Sequence, residues 1–149
     1  MPFFTPVKTL PEGTVYLTDL TPVQNFADWL AEFETLLAAH AHSPFATVCA
    51  PMRLQKSDEQ RTADRKTYLA WIKAHQPQLA ERCAAMLLVE PDPPQLELMR
   101  GQSAKLAASL GVNYIVEADQ AAALAAAEAA LKQRAKAETF AKSQSRPEK

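Results

Sequence analysis

A strand, a helix and a second strand are predicted by residues 85–116, AMLLVEPDPPQLELMRGQSAKLAASLGVNYIV. The stretch begins with an apolar run of strand length. Asp92 and the two prolines after it are typical of a helix start, because Asp caps a helix and Pro fits its first turn. Gly111 suits the position just past a helix end, and another apolar run follows it. Between these two signals, apolar residues recur at the spacing of one helix face: Leu96, Met99, Leu106 and Leu110. Two strands joined through a helix predict a parallel pair in one sheet.

The same alternation continues towards the N-terminus. Residues 45–50, FATVCA, form an apolar run bounded by prolines, which is typical of a buried strand. Residues 57–60, SDEQ, form a capping-box pattern and start a helix that Pro77 must end or kink. Residues 21–24, TPVQ, repeat that pattern and predict another helix that runs to about His40.

Both ends of the chain complete the pattern. A β-hairpin is predicted from residues 5–10 and 14–20, and a last helix runs from Asp119 to about Phe140. The order β-β-α-β-α-β-α-β-α predicts the α/β class: a single mixed or mostly parallel sheet of about four or five strands with an N-terminal hairpin, flanked by about four helices. We expect one domain over residues 1–140 and a disordered polar tail over residues 141–149.

The composition excludes several classes of function. The 149 residues carry sixteen Lys and Arg against seventeen Asp and Glu, a net charge of −1, so no whole-molecule field attracts nucleic acid or an anionic membrane. Basic residues gather near the C-terminus, but only Phe140 could stack a base among them, and we expect no nucleic-acid partner. With only three glycines, the chain has no Gly-rich phosphate-binding loop.

The cysteines and the hydropathy favour a cytoplasmic protein. Cys49 and Cys83 lie within apolar stretches, as small buried hydrophobic residues do. The first residues show no basic start followed by an apolar run, so we expect no signal or transit peptide. The longest low-polarity run, residues 120–131, is far shorter than the roughly 20 apolar residues of a spanning helix. We therefore expect no membrane partner.

A binding site is predicted beyond the carboxyl ends of the parallel strands, where ligands of open α/β sheets bind. The segment after residues 45–50 is polar and basic, and the start of the following helix offers N–H groups to an anion. Asp58 and Glu59 in the same first turn would repel one, and the alternative is an ordinary capped helix with solvated charges. The candidate binding residues are Arg53, Lys56, Ser57, Arg61, Arg65 and Trp71.

Signals for catalysis and metal binding are weak. His40 and His42 could bring two imidazoles to a metal ion, but no Cys or carboxylate accompanies them at ligand spacing. No Ser or Cys lies in a nucleophile motif. Four carboxylates after two strands could bind Mg²⁺, or could be helix caps and solvated side chains: Glu90, Asp92, Glu117 and Asp119. We expect no catalytic residue, no metal and no cofactor.

Three aromatic residues, Trp29, Tyr68 and Trp71, lie beside the main apolar stripes of their helices. Their side chains either complete the core or form an exposed apolar patch. Such a patch would bind a partner protein, or would join two copies of the chain through Trp29 or Trp71.

The order of elements over residues 3–131 resembles the STAS or SpoIIAA-like fold, the family of anti-sigma-factor antagonists and related binding modules. The resemblance covers the opening hairpin, the helix from Pro22, the strand at residues 45–50 and the helix near Ser57. It implies a non-enzymatic regulatory module, of bacterial origin. Switch members carry an Asp-Ser-Ser-Gly-like stretch with a phosphorylatable Ser; residues 50–57 here read APMRLQKS, so Ser57 alone matches that position.

Two functional hypotheses follow. The first is a non-enzymatic regulatory or protein-interaction module of SpoIIAA-like type that contacts its partner through the face formed by residues 53–65 and Trp71. The second is a small-ligand (anion) receptor or enzyme that uses the strand-end edge near Arg53, Ser57 and Glu90.

Overall fold

The computed structural model describes residues 3–20, 25–50 and 57–145, and side chains up to residue 137. After an N-terminal hairpin, strands alternate with helices as the sequence predicts, except that two helices follow each other between the third and fourth strands. In chain order the elements are β1 (Phe4–Leu10), β2 (Gly13–Thr18), α1 (Phe26–Ala39), β3 (Phe45–Cys49), α2 (Asp58–Ala74), α3 (Gln76–Arg82), β4 (Cys83–Val89), α4 (Pro93–Leu110), β5 (Tyr114–Glu117) and α5 (Gln120–Ser145).

The five strands form one mixed sheet in the order β1-β2-β3-β4-β5. β1 and β2 pair antiparallel, and every later pair is parallel, which confirms the predicted α/β class. Because β2 to β5 follow one another across the sheet, connections of one hand place their helices on the same face. Buried side chains of α1 to α4 pack on one face, and those of α5 pack on the other.

The helix ends follow local capping chemistry. The side chains of Ser57, Asp92 and Asp119 accept hydrogen bonds from backbone N–H groups in the first turns of α2, α4 and α5. Gly111 ends α4 with a φ of 68°, in the left-handed region that Gly adopts without strain.

Two helix boundaries differ from the sequence prediction. α1 begins at Phe26, where Asn25 Oδ1 accepts from the Ala27 N–H at 3.0 Å and so caps the helix. The predicted cap at residues 21–24 lies outside the described residues. At the other end α5 continues to Ser145, so residues 141–145 belong to the helix instead of the expected tail; no Pro or Gly interrupts residues 132–145. Residues 146–149 lie outside the described residues.

The two faces of the sheet hold two different cores. On the α1–α4 face, aromatic rings pack around Phe33, whose ring centroid lies 5.5 Å from that of Trp29 and 4.8 Å from that of Trp71. On the other face, Ala123, Ala127 and Leu131 of α5 pack against aliphatic strand residues. Small alanine side chains let α5 lie close to the sheet.

Both edges of the sheet are blocked against further strand pairing. β1 contains Pro6 and an irregular register beside it, and Lys8 pairs with Glu128 of α5 at 2.8 Å. On β5, Arg100 Nε donates to the Val116 carbonyl at 3.0 Å, which occupies an acceptor at that edge. Among the described residues no helix is long and apolar enough to cross a membrane.

Candidate functional site

A pocket of about 380 Å³ opens on the α1–α4 face, above the carboxyl-terminal halves of the parallel strands. The sheet forms its floor, and α1, α2 and α4 form its walls. This is the end of the sheet at which ligands of open α/β folds bind, and it is the edge that the sequence predicts. The volume lies in the range of about 300–1,000 Å³ found for pockets that hold small molecules.

The floor consists of side chains in two neighbouring rows across the sheet. The strand register places Thr18 beside Cys49 and Cys49 beside Leu88 in one row. In the other row, Thr47 lies beside Met86 and Met86 beside Tyr114. Three of these six side chains are small, namely those of Thr18, Thr47 and Cys49. The strand side chains therefore leave space where a core would usually contain Leu, Ile or Phe.

The walls are apolar and the rim is charged. The apolar walls come from three helices and consist of Phe26 and Trp29 of α1, Tyr68 and Leu69 of α2, and Met99 and Leu106 of α4. Arg61, Arg65 and Gln102 also line the pocket but are exposed, so they mark its mouth between α2 and α4. Asp64 lies half-buried at the same rim and accepts from Gln60 Nε2 at 2.8 Å.

The pocket stays open because the first half of α2 brings no large apolar side chain to the sheet. Residues 58–67, DEQRTADRKT, include Ala63 as their only apolar residue, and Ala63 is exposed. Burial of α2 begins with Tyr68 and Leu69 and is complete only at Trp71 and Ile72. The helix is therefore anchored at its C-terminal half, while its N-terminal half lies above the floor without filling the space.

Hydrogen bonds fix part of the lining and leave two hydroxyl groups available. Trp29 Nε1 donates to Thr18 Oγ1 at 2.9 Å, and the hydroxyls of Tyr68 and Tyr114 lie 2.9 Å apart. Thr47 and Ser103 line the pocket and are buried, yet neither hydroxyl has a hydrogen-bond partner among the described residues. A bound molecule can therefore receive hydrogen bonds from one strand and one helix without breaking an existing bond.

The titratable groups inside the pocket are held in their neutral forms. Burial raises the pKa of the Cys49 thiol to about 12, and the Asp19 carboxylate adds to that shift. Burial also raises the pKa of Tyr68 well above its usual range, and it raises the pKa of Tyr114. A thiol with such a pKa is a poor nucleophile at neutral pH. The interior is thus suited to binding an apolar body and not to covalent catalysis through Cys49.

The structure separates the residues that the sequence groups together as a binding face. Arg61 and Arg65 lie at the rim of the pocket. Ser57 is an exposed N-cap, and its Oγ accepts from the Gln60 N–H at 3.1 Å. Trp71 is 9% exposed; it packs on Phe33 and donates to Glu34, so it offers no contact surface. The remaining two candidates, Arg53 and Lys56, lie outside the described residues.

The carboxylates at the strand ends are engaged locally. Asp92 and Asp119 cap their helices, as one of the two alternatives predicts. Glu90 is buried, and its Oε2 accepts from the Asp92 N–H at 3.2 Å. Glu117 lies 3.6 Å from Arg100. Neither Ser57 nor Glu90 is among the described residues that line the pocket, and Arg53, the third residue of the predicted trio, lies outside the described residues.

The histidines form no metal site within the described ranges. His40 is buried and uses both ring nitrogens: Nε2 lies 2.7 Å from the Tyr16 hydroxyl, and Nδ1 lies 3.0 Å from the Ser43 carbonyl. His42 is exposed. No group of three His, Cys, Asp or Glu side chains in the described part of the chain could hold a metal ion. Cys49 and Cys83 are both free and buried, as the sequence predicts.

The aromatic residues considered for a dimer contact belong to the core. Trp29 is 4% exposed and stacks between Phe4 and Phe26. Tyr68 is partly buried against the same cluster. With Trp71 also buried, neither tryptophan contributes to an exposed apolar patch, so the structure offers no basis for a dimer contact through them.

The residues that the sequence reasoning missed are those of the floor and of α4. Thr18 and Thr47 fall within predicted strands and Met99 falls on a predicted helix face, whereas Ser103 lies in that helix without being singled out. The sequence does contain a signal: Thr18 ends β2, Thr47 and Cys49 lie in the last three residues of β3, and the helix that covers these small side chains begins with ten residues that lack a large apolar side chain.

No protein-family model, curated protein or solved structure matches this chain.

Proposed function

We propose that this protein binds a small, largely apolar molecule in the pocket between α1, α2 and α4. The observation that carries the proposal is the cavity of about 380 Å³ that is walled by aromatic and aliphatic side chains at the carboxyl end of the parallel strands. This proposal keeps the hypothesis of a small-ligand receptor. The proposed binding site is the space under α2 instead of the strand-end edge near Arg53, Ser57 and Glu90.

The chemistry of the lining supports binding without catalysis. A ligand would displace water from apolar walls, and burial of apolar area contributes roughly 25 cal/mol per Å². The hydroxyls of Thr47 and Ser103, which have no partner within the described part of the chain, would orient it. Cys49, whose pKa is about 12, supplies no thiolate at neutral pH.

The test is titration with N-phenyl-1-naphthylamine, a neutral dye whose fluorescence rises in apolar sites. Ser103→Phe places a ring inside the cavity, and Ala104→Phe places the same ring on the exposed side of α4, so the second variant is the matched control. We expect saturable binding by the wild type and by Ala104→Phe, and loss of binding in Ser103→Phe while its melting temperature shows that it remains folded.

Two results would contradict the proposal. One is the absence of saturable dye binding, and the other is equal binding by the wild type and a folded Ser103→Phe. A third variant checks whether the chain fills its own cavity: if dye binds only after Met52 and Leu54 are both replaced by Ser, the space belongs to the segment before α2 and the proposal is wrong.

The protein-interaction module expected from the sequence remains a second proposal. The observation that favours it is the exposed, highly charged surface of residues 58–67 at the start of α2, next to the exposed Ser57. In native mass spectrometry of the tagged protein isolated from its host, a stoichiometric partner should be lost when Arg61 and Arg65 are both changed to Glu. Lys66→Glu is the control, and an unchanged complex in the double variant would reject this surface.

A cytoplasmic location is part of the proposal. Its support is the pair of free, buried thiols at Cys49 and Cys83, because thiols stay reduced in the cytosol. Fractionation of host cells provides the test, and recovery of the protein outside the cytosolic fraction would contradict it.

A further inference from the structure

The mouth of the pocket has a charge that its interior lacks. Arg61 and Arg65 line the mouth, and Asp64 is the one carboxylate among the described lining residues. The Asp19 carboxylate acts on the Cys49 thiol from outside this lining. Arg65 is exposed and has no acidic partner among the described residues. The molecule as a whole has a net charge of −1, so the attraction for an anion comes from Arg65 at the mouth and not from the overall charge.

The interior below this rim holds no charged side chain among the lining residues that the structure describes. The interior is lined by the uncharged side chains of Thr47, Cys49, Met86 and Ser103, together with the aromatic and aliphatic side chains of the walls. A charged group would lose its hydration there without gaining a partner of opposite sign. A molecule that fits both zones therefore has an apolar body for the floor and one charged end for the rim.

We propose that the ligand of this pocket is an amphipathic organic monoanion whose acidic group binds at Arg65, with Arg61 beside it, while its hydrocarbon body lies on the strand side chains. This inference rests on the proposed function, because it assigns a ligand class to the same cavity. A guanidinium offers two parallel N–H groups to a carboxylate, which makes Arg65 a suitable partner for a carboxylic acid.

A cationic or neutral amphiphile fits the same cavity less well. An ammonium group at the mouth would lie near two guanidinium groups and one carboxylate. Its net electrostatic interaction with these three groups would be repulsive. An alcohol would fill the interior equally well but would not gain the ion pair at the rim. The charge of the head group, at constant hydrocarbon chain, is therefore the property to vary.

The experiment measures displacement of the neutral dye by decanoate, decanol and decylamine, which share one hydrocarbon chain. We expect decanoate to displace the dye at about fivefold lower concentration than decanol, since an ion pair at a solvent-exposed site contributes about that factor. The preference should shrink as the salt concentration rises, because salt screens exposed charges. Decylamine should be the weakest competitor.

Arg65→Gln should remove most of the preference for decanoate over decanol, and this ratio of competitor concentrations is independent of any change in dye affinity. Lys66→Gln is the matched control, because Lys66 is the next exposed cation on α2 and does not line the pocket. Because Arg65 is exposed, its replacement should leave the melting temperature unchanged.

The outcomes distinguish this inference from the proposed function. If the dye binds and Ser103→Phe abolishes its binding, but decanoate and decanol compete equally, the pocket stands and the inference is overturned. Equal loss of the preference in Arg65→Gln and Lys66→Gln also overturns it, because a general field and not Arg65 would then be responsible. If no dye binds, both fail.

Discussion

At the scale of single residues, the buried imidazole of His40 shows how polar atoms beside the aromatic core obtain hydrogen-bond partners. The Ser43 carbonyl can only accept, so His40 Nδ1 must carry the proton that it receives at 3.0 Å. Nε2 lies 2.7 Å from the Tyr16 hydroxyl and accepts from it in the tautomer whose only ring proton is on Nδ1. These contacts link β2, the end of α1 and the loop before β3 through the imidazole of His40.

Tyr16→Phe should lower the free energy of unfolding by about 1–3 kcal/mol, because it leaves the buried His40 Nε2 without a partner. Urea denaturation at neutral pH measures the change. Ser43→Ala is the control: it removes a hydroxyl 3.1 Å from Nδ1 but keeps the carbonyl, so we expect less than about 0.5 kcal/mol. Equal losses in the two variants would contradict the assigned tautomer.

At the scale of elements, the start of β2 depends on a close backbone approach. Gly13 has a φ of 152°, and a Cβ there would overlap the Pro44 carbonyl oxygen and the Leu131 side chain. The same carbonyl accepts from the Thr14 N–H at 3.3 Å, so it cannot move away freely. Three parts of the chain thus meet at Gly13: strand β2, the segment that precedes β3, and helix α5.

Gly13→Ala should destabilise the protein by about 2 kcal/mol or more, since both backbone strain and overlap oppose it. Gly101→Ala is the matched substitution: Gly101 lies within α4, and a Cβ there would meet nothing within 4 Å. We expect it to stabilise the protein by up to about 1 kcal/mol through helix propensity. Thermal unfolding of both variants tests the contrast, and two changes of the same sign would refute the explanation.

At the scale of the whole molecule, the two buried cysteines on the α1–α4 face make the stability of the fold depend on pH. Burial raises the pKa of the Cys49 and Cys83 thiols from 9.0 to about 12. Above pH 9 the unfolded chain loses these protons while the native protein keeps them, so the native state binds more protons. This contribution to stability is complete below pH 9 and decreases as the pH rises towards 12.

The free energy of unfolding should therefore fall by about 1 kcal/mol per thiol between pH 8 and pH 10. Urea denaturation at the two pH values measures the fall, and a variant with both cysteines changed to Ala should show a smaller one. A fall of the same size in that variant would assign the pH dependence to other groups, such as the three tyrosines. In native protein at neutral pH, neither thiol should react rapidly with a disulfide reagent.

Local signals were sufficient for most of the fold. Ser57, Asp92 and Gly111 act within one helical turn of their own positions, so their roles as caps could be identified without knowledge of the tertiary structure. Strand lengths and alternation gave the mixed sheet and its N-terminal hairpin. The start of α1 was placed incorrectly because two capping patterns, at residues 21–24 and at Asn25, lie close together.

The sequence by itself determined the order of elements, the class of the sheet and the edge of the sheet at which the cavity lies, because each depends on spacing along the chain. It also singled out Arg61 and Arg65. Only the tertiary structure decided that Trp29 and Trp71 are buried and that Thr18, Thr47 and Ser103 enclose a cavity. The physical reason is that a void depends on what faces each side chain across the sheet, and the lining comes from α1, α2, α4 and strands β2 to β5, which are distant in sequence.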